Sequence, residues 1–155
     1  MPLLRRADGT LAAQLASAWS WLDRTGNTVA SEDPAGGLAR PWIVYSPPTD
    51  DNMANWPRTS ATSWTVIARS RGFTQHPRVR TRASIATDGT AAGQLRLCVN
   101  GQPVATAAIG AELNATATLP GYLHMAEVEW TLQAQVTSGT GNVYGTTRYL
   151  YGVQS

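Results

Sequence analysis

Polar and apolar positions alternate every second residue through most of this chain, most clearly over 77–100, PRVRTRASIATDGTAAGQLRLCVN. Val79, Thr81, Ala83 and Ile85 point one way and Arg78, Arg80, Arg82 and Ser84 the other, the period of a half-buried strand. Leu95, Leu97 and Val99 then oppose Gln94, Arg96, Cys98 and Asn100, with Asp88-Gly89 as a turn signal between the halves. The pattern predicts a β-hairpin with an apolar inner face and a basic outer one. A lone hairpin is unstable in water, so other strands must cover it.

Shorter runs at 42–46, 63–71, 102–109 and 111–119 read as strands, the last two thin and Ala/Thr-rich, as edge positions are. The longest pattern sets Val128, Trp130, Leu132, Ala134 and Val136 against Glu127, Glu129, Thr131, Gln133 and Gln135. Its two glutamates are a candidate cross-strand match for the arginines at 78, 80 and 82. SGTGN (138–142) predicts a second hairpin, leading into 143–153. There Val143, Thr147, Tyr149, Tyr151 and Val153 share one face and Tyr144, Arg148 and Leu150 the other. Large residues on both faces imply cover on both, so Tyr144, Arg148 and Leu150 are candidate contacts to another chain.

The first forty residues read differently. After an extended lead-in, Thr10 can cap a helix along which Leu11, Leu15, Trp19 and Leu22 recur at helical spacing, and Gly26-Asn27 ends it. This predicts an amphipathic helix of about three turns. Its stripe either packs on the chain's own core or meets a partner; a helix this short is marginal alone, which favours Leu11, Leu15, Trp19 and Leu22 as partner anchors. Residues 25–41 have linker composition. The expected fold is therefore all-β, a two-sheet antiparallel sandwich of jelly-roll type over 41–155, preceded by a helix and an extended arm over 1–40.

Composition narrows the function. Of 155 residues only 14% are charged, the net charge is +2, and every one of the twelve basic residues is Arg. That charge is too small and too dispersed to imply nucleic acid. One cysteine excludes an internal disulfide framework, and no Cys/His spacing suits zinc. Arg5-Arg6 before a run ending in Ala16-Ser17-Ala18 has the outline of a cleavable leader, but Asp8, Gln14 and two tryptophans interrupt it. No apolar stretch is long enough for a membrane-spanning helix.

No nucleophile elbow, phosphate loop, HExxH or dinucleotide fingerprint occurs. His76 and His124 read as structural, Glu127 and Glu129 as a solvated or Arg-paired face, and Asp50, Asp51 and Asn52 as a loop tip in place of a metal site. No catalytic residue, metal or cofactor is expected. What remains is assembly into a larger particle or binding of carbohydrate, the latter with Trp56 and Tyr122 as stacking platforms for sugar rings.

The run WPRTSATSWTVIARSRGFTQHPRVRTRASIATDGTAAGQLRLCVNG resembles β-sandwich modules in minor tail or baseplate proteins of tailed phages infecting actinobacteria. The likeness rests on His76-Pro77-Arg78-Val79 with Arg82, on Asp88 followed by Gly93-Gln94-Leu95-Arg96, and on Leu97, Val99, Asn100 and Gly101. It spans roughly 56–153 and leaves 1–40 unmatched. The resemblance implies a virion protein of the tail or another external particle component. It also implies many copies, as a trimer or higher symmetric ring, in contact with other virion proteins and with no catalytic residues to carry over. Head decoration or head-fibre proteins, and recognition of a host glycan, are the alternatives.

Overall fold

The computed structural model describes residues 3–8, 11–15, 19–22, 28–32, 38–39, 50–74, 76–123 and 126–153. It is predominantly β, with three antiparallel sheets. The first sheet is a meander of β1 (Leu3–Arg5), β2 (Leu11–Leu15), β3 (Trp19–Leu22), β4 (Thr28–Glu32) and β5 (Leu38–Ala39), paired in chain order.

The expected N-terminal helix is therefore replaced by β2 and β3, and the expected linker carries β4 and β5. The apolar residues of 11–22 fit both periods, because Trp19-Ser20-Trp21 also alternates. Pairing with β1 and β4 on either side decides in favour of strands. Leu22 falls on the opposite parity from Trp19 and Trp21, so the predicted four-residue stripe does not exist. The strand expected at 42–46 lies outside the described residues.

The other eight strands are β6 (Arg58–Thr59), β7 (Thr65–Phe73), β8 (Arg78–Thr87), β9 (Ala92–Val99), β10 (Gln102–Ala108), β11 (Leu113–Thr118), β12 (Glu127–Ser138) and β13 (Val143–Val153). They form two four-stranded sheets, one ordered β10-β9-β12-β7 and the other β11-β8-β13-β6. Apart from β9 and β10, consecutive strands lie in different sheets. So neither 77–100 nor 127–153 is a hairpin: β8 and β9 face each other across the interior, as do β12 and β13. The alternation in β8, β9 and β12 is as expected, but period two fixes a strand's faces and not its neighbours. β10 and β11 are indeed edge strands.

The inner faces meet in an apolar interior made of two clusters. Val79, Leu150 and Leu119 pack with Leu97, Val99, Val128 and Trp130 at one end. Ala83, Leu113 and Val143 pack with Leu95, Leu132, Ala134 and Val136 at the other. Each large side chain fully buried here contributes about 1.5–3 kcal/mol. In β12 all five residues expected to face inward are buried, with Trp130 only 1% exposed, and Thr131 between them is buried as well.

At the second end the sheets approach closely. A Cβ on Gly93 would stand 2.2 Å from Val143 Cγ2 and 2.4 Å from the Gln135 carbonyl oxygen, and a carbonyl in a sheet ladder cannot step aside. Gly93→Ala is expected to destabilise the fold by about 1–3 kcal/mol, as overpacking does. Urea unfolding checks this; an unchanged midpoint would mean that the sheets are not held so tightly there.

Candidate functional site

Strand β13 changes face part-way along. Thr147 pairs with Ala83 but Tyr149 pairs with Arg82, so the register slips by one residue at Arg148. Before this bulge Val143, Gly145 and Thr147 face inward; after it Leu150 and Gly152 do. Tyr149 and Tyr151 are thereby turned to the outer face, their rings 5.4 Å apart and tilted by 41°.

The outer surface of the β11-β8-β13 region is consequently a grid of three rungs. Asn114, Arg82 and Tyr149 form one, Thr116, Arg80 and Tyr151 the next, and Thr118, Arg78 and Val153 the third. Arg82 Nε donates to Glu112 at 2.7 Å, which raises the Arg82 pKa further above its already high ordinary value. Arg80 donates to the Thr116 hydroxyl at 3.2 Å. Arg78 Nε is buried without a hydrogen-bond partner among the described residues. Neither Arg78 nor Arg80 has a carboxylate partner there.

The expected pairing of this row with Glu127 and Glu129 is not found. Those glutamates lie on the other sheet, where Arg69 meets Glu129 at 3.3 Å and Arg71 lies within 3.9 Å of both. The pairing was misassigned because β7, not β8, is the neighbour of β12. Exposed pairs of this kind add at most about 1 kcal/mol each.

The sequence-predicted contact residues of β13 have internal duties. Leu150 is 2% exposed and belongs to the core, so it cannot present itself to another chain, and Tyr144 is 5% exposed. Tyr144 donates its hydroxyl to Asp88 Oδ2 at 2.7 Å, and Arg58 lies over its ring at 5.5 Å. Arg148 donates to Ser84 Oγ at 2.9 Å, pairs with Asp51 and covers the ring of Trp56 at 5.2 Å.

Trp56 thus has one face occupied by a guanidinium. Its indole N–H donates to the Asp50 carbonyl, and Asp50 and Asn52 are spent on turning the loop around Met53–Asn55. Tyr122 lies at the far end of the interior, half-buried against the core. There it lines a cleft of about 240 Å3 with Thr74, Asn100 and Leu123. The two proposed sugar platforms therefore do not form one site.

The remaining titratable groups read as structural. His76 is 1% exposed and fills the space left by Gly152, where a Cβ would come within 2.7 Å of its Nδ1. Cys98 is buried, which pushes its thiol pKa up and away from reactivity. His124 lies outside the described residues. Among the described residues no group of three or more metal-ligating side chains gathers, and no helix is long and apolar enough to cross a membrane.

A node that sequence reading missed lies at the corner between sheets. Asp88 accepts from the Asn142 backbone N–H at 2.5 Å, from Asn142 Nδ2 at 3.0 Å and from Tyr144. The loop 88–91 is thereby tied to the loop 139–142, which also exchanges hydrogen bonds with Thr90. Asp88-Gly89 was legible as a turn; its partner, some fifty residues away, was not.

Against known proteins, the chain matches no family model, no curated protein and no solved structure.

The hydrogen bonds from Tyr144 and Asn142 hold the Asp88 pKa down to about 2. A carboxylate depressed below its ordinary value stabilises the fold above about pH 4 and ceases to as pH falls towards 2. Asp88→Ala should lower the melting temperature at pH 7. The gap between wild type and variant should close between about pH 4 and pH 2. A gap independent of pH would show that the node does not act through its charge.

Proposed function

We propose that this protein is a non-enzymatic structural component of a tailed-phage virion, a minor tail or tail-tip protein that assembles with further copies of itself. On this reading the β6–β13 unit is a jelly-roll sandwich. The two strand orders, with the chain passing between sheets at nearly every connection, support that finer description. Jelly rolls serve viral capsid and lectin domains, an analogy at the level of fold only. The resemblance carried by residues 76–101 points the same way. The oligomer is a trimer or a higher symmetric ring, in contact with other virion proteins.

The observation that carries assembly is the N-terminal meander. Leu4 lies opposite Ala13, Ala13 opposite Trp21 and Trp21 opposite Ala30, one lateral row across four strands. Within it Leu4 is 61% and Trp21 59% exposed, with Trp19 edge-on to Trp21 at 5.9 Å. An uncharged row of this kind is self-complementary, as a closed symmetric interface requires. Large aromatic side chains are the usual anchors of such contacts. The anchoring role expected of a helix passes to a sheet face.

Light scattering on the purified chain tests this reading. The wild type is expected to run as an oligomer, and Leu4→Ser with Trp21→Ser as the 16.5 kDa single chain. Both should show the same thermal unfolding of the β6–β13 unit. A wild-type chain that is itself monomeric would remove the proposal.

A further inference from the structure

We infer that the outer face of β11-β8-β13 binds an acidic polysaccharide carrying carboxylates on its sugar rings. The inference stands independently of the virion reading, and it moves sugar recognition away from Trp56 and Tyr122. Arg78, Arg80 and Arg82 project from alternate positions of one strand, roughly 6.6–6.8 Å apart. This is a row of guanidinium forks able to engage successive carboxylates.

Two arginines of this row, Arg78 and Arg80, differ from the other arginines of β7, β8, β9 and β13, Arg82 among them, which is paired with Glu112. Arg69, Arg71 and Arg148 have carboxylate partners, and Arg96 donates to Gln133 at 2.9 and 2.7 Å while covering Trp64 at 4.2 Å. Among the described residues Arg78 and Arg80 have no acid, and the partner of Arg80 is the neutral Thr116 hydroxyl. Cationic capacity is thus left at the centre of a face, not at its rim.

The flanks define what kind of anion fits. On one side Tyr149 and Tyr151 offer aromatic surface for the apolar face of a sugar ring. On the other Asn114, Thr116 and Thr118 offer neutral donors and acceptors for hydroxyls. Glu112 closes the row beside Arg82, with the two side chains 35% and 46% exposed. It engages Arg82, so the cations left for a ligand are Arg78 and Arg80, and with a net charge of +2 this is too short a basic stretch for a nucleic acid backbone. Alternating carboxylates, hydroxyls and ring faces suit the grid better than a nucleic acid.

Titration calorimetry of the full chain with an oligogalacturonate tests this, with a neutral oligosaccharide of equal length and a single-stranded oligonucleotide as comparisons. Saturable binding of the oligogalacturonate alone is expected, weakening as salt rises. Arg78→Gln with Arg80→Gln should weaken it at least about tenfold, and Tyr151→Ala should weaken it as well. Arg69→Gln with Arg71→Gln, the same charge change on the other sheet, should leave it unchanged. Melting curves matching wild type would confirm that the variants fold. No oligogalacturonate binding, equal loss in the Arg69/Arg71 control, or tighter binding of the oligonucleotide would each overturn the proposal.

Discussion

Two sheets share one apolar interior, and the chain crosses between them at nearly every turn. That constraint organises the rest. Because the inner faces of β8 and β13 must meet those of β9 and β12, each strand has one committed face and one face left over. The crossings cannot be two-residue hairpin turns, since packed sheets stand about 10 Å apart. They are corners, and corners need their own ties. Asp88 supplies one by fastening the β8–β9 corner to the β12–β13 corner with hydrogen bonds to Asn142 and Tyr144. The tie sits at the end where Gly93 lets the sheets approach closely, so close packing and polar satisfaction reinforce each other there.

The two leftover faces have been used differently. On the β10-β9-β12-β7 sheet, charges and amides are consumed locally. Arg69 and Arg71 meet Glu127 and Glu129, Arg96 meets Gln133, and Gln135 meets Gln94. A surface that satisfies itself has little left to offer a ligand. On the β11-β8-β13-β6 sheet Arg78 and Arg80 have no such partners among the described residues, and Tyr151 stands opposite Arg80. The two faces thus differ in how far their polar groups satisfy one another, more than in total charge.

The longer strands of the two packed sheets were legible because their alternation is local; β6, only two residues long, carries no such signal. Burial of Val128, Trp130, Leu132, Ala134 and Val136 follows from period two alone. Their neighbours were not, because sheet membership is decided by contacts far apart in sequence. The same signal Asp88-Gly89 serves a hairpin or a corner, and only Asn142 and Tyr144 tell which. In 11–22 the failure was of another kind. Leucines four and seven apart imitate a helix, while Trp19 and Trp21 alternate. With no long apolar run to break the tie, β1 and β4 settled the matter as pairing partners. The candidate site was half legible: the arginine row was read directly from β8, but its aromatic flank was assigned to the wrong face.

That misassignment turns on one residue. Without the slip at Arg148, strict alternation from Val143 would carry Tyr149 and Tyr151 into the interior and push Leu150 out. The interior has no room for two tyrosines beside Val79, Leu97 and Thr81, and their hydroxyls would be left without water. The extra residue resolves this by releasing Arg148 sideways, where it reaches Ser84, Asp51 and the ring of Trp56. Two glycines record the phase change. Gly145, on odd parity, lies under Leu95 and Ile67, and Gly152, on even parity, lies against His76. A bulge that only relieved crowding could have been followed by small or polar residues. This one is followed by two aromatic rings on the outer face, Tyr149 opposite Arg82 and Tyr151 opposite Arg80, so the device that completes the core also shapes the outer face.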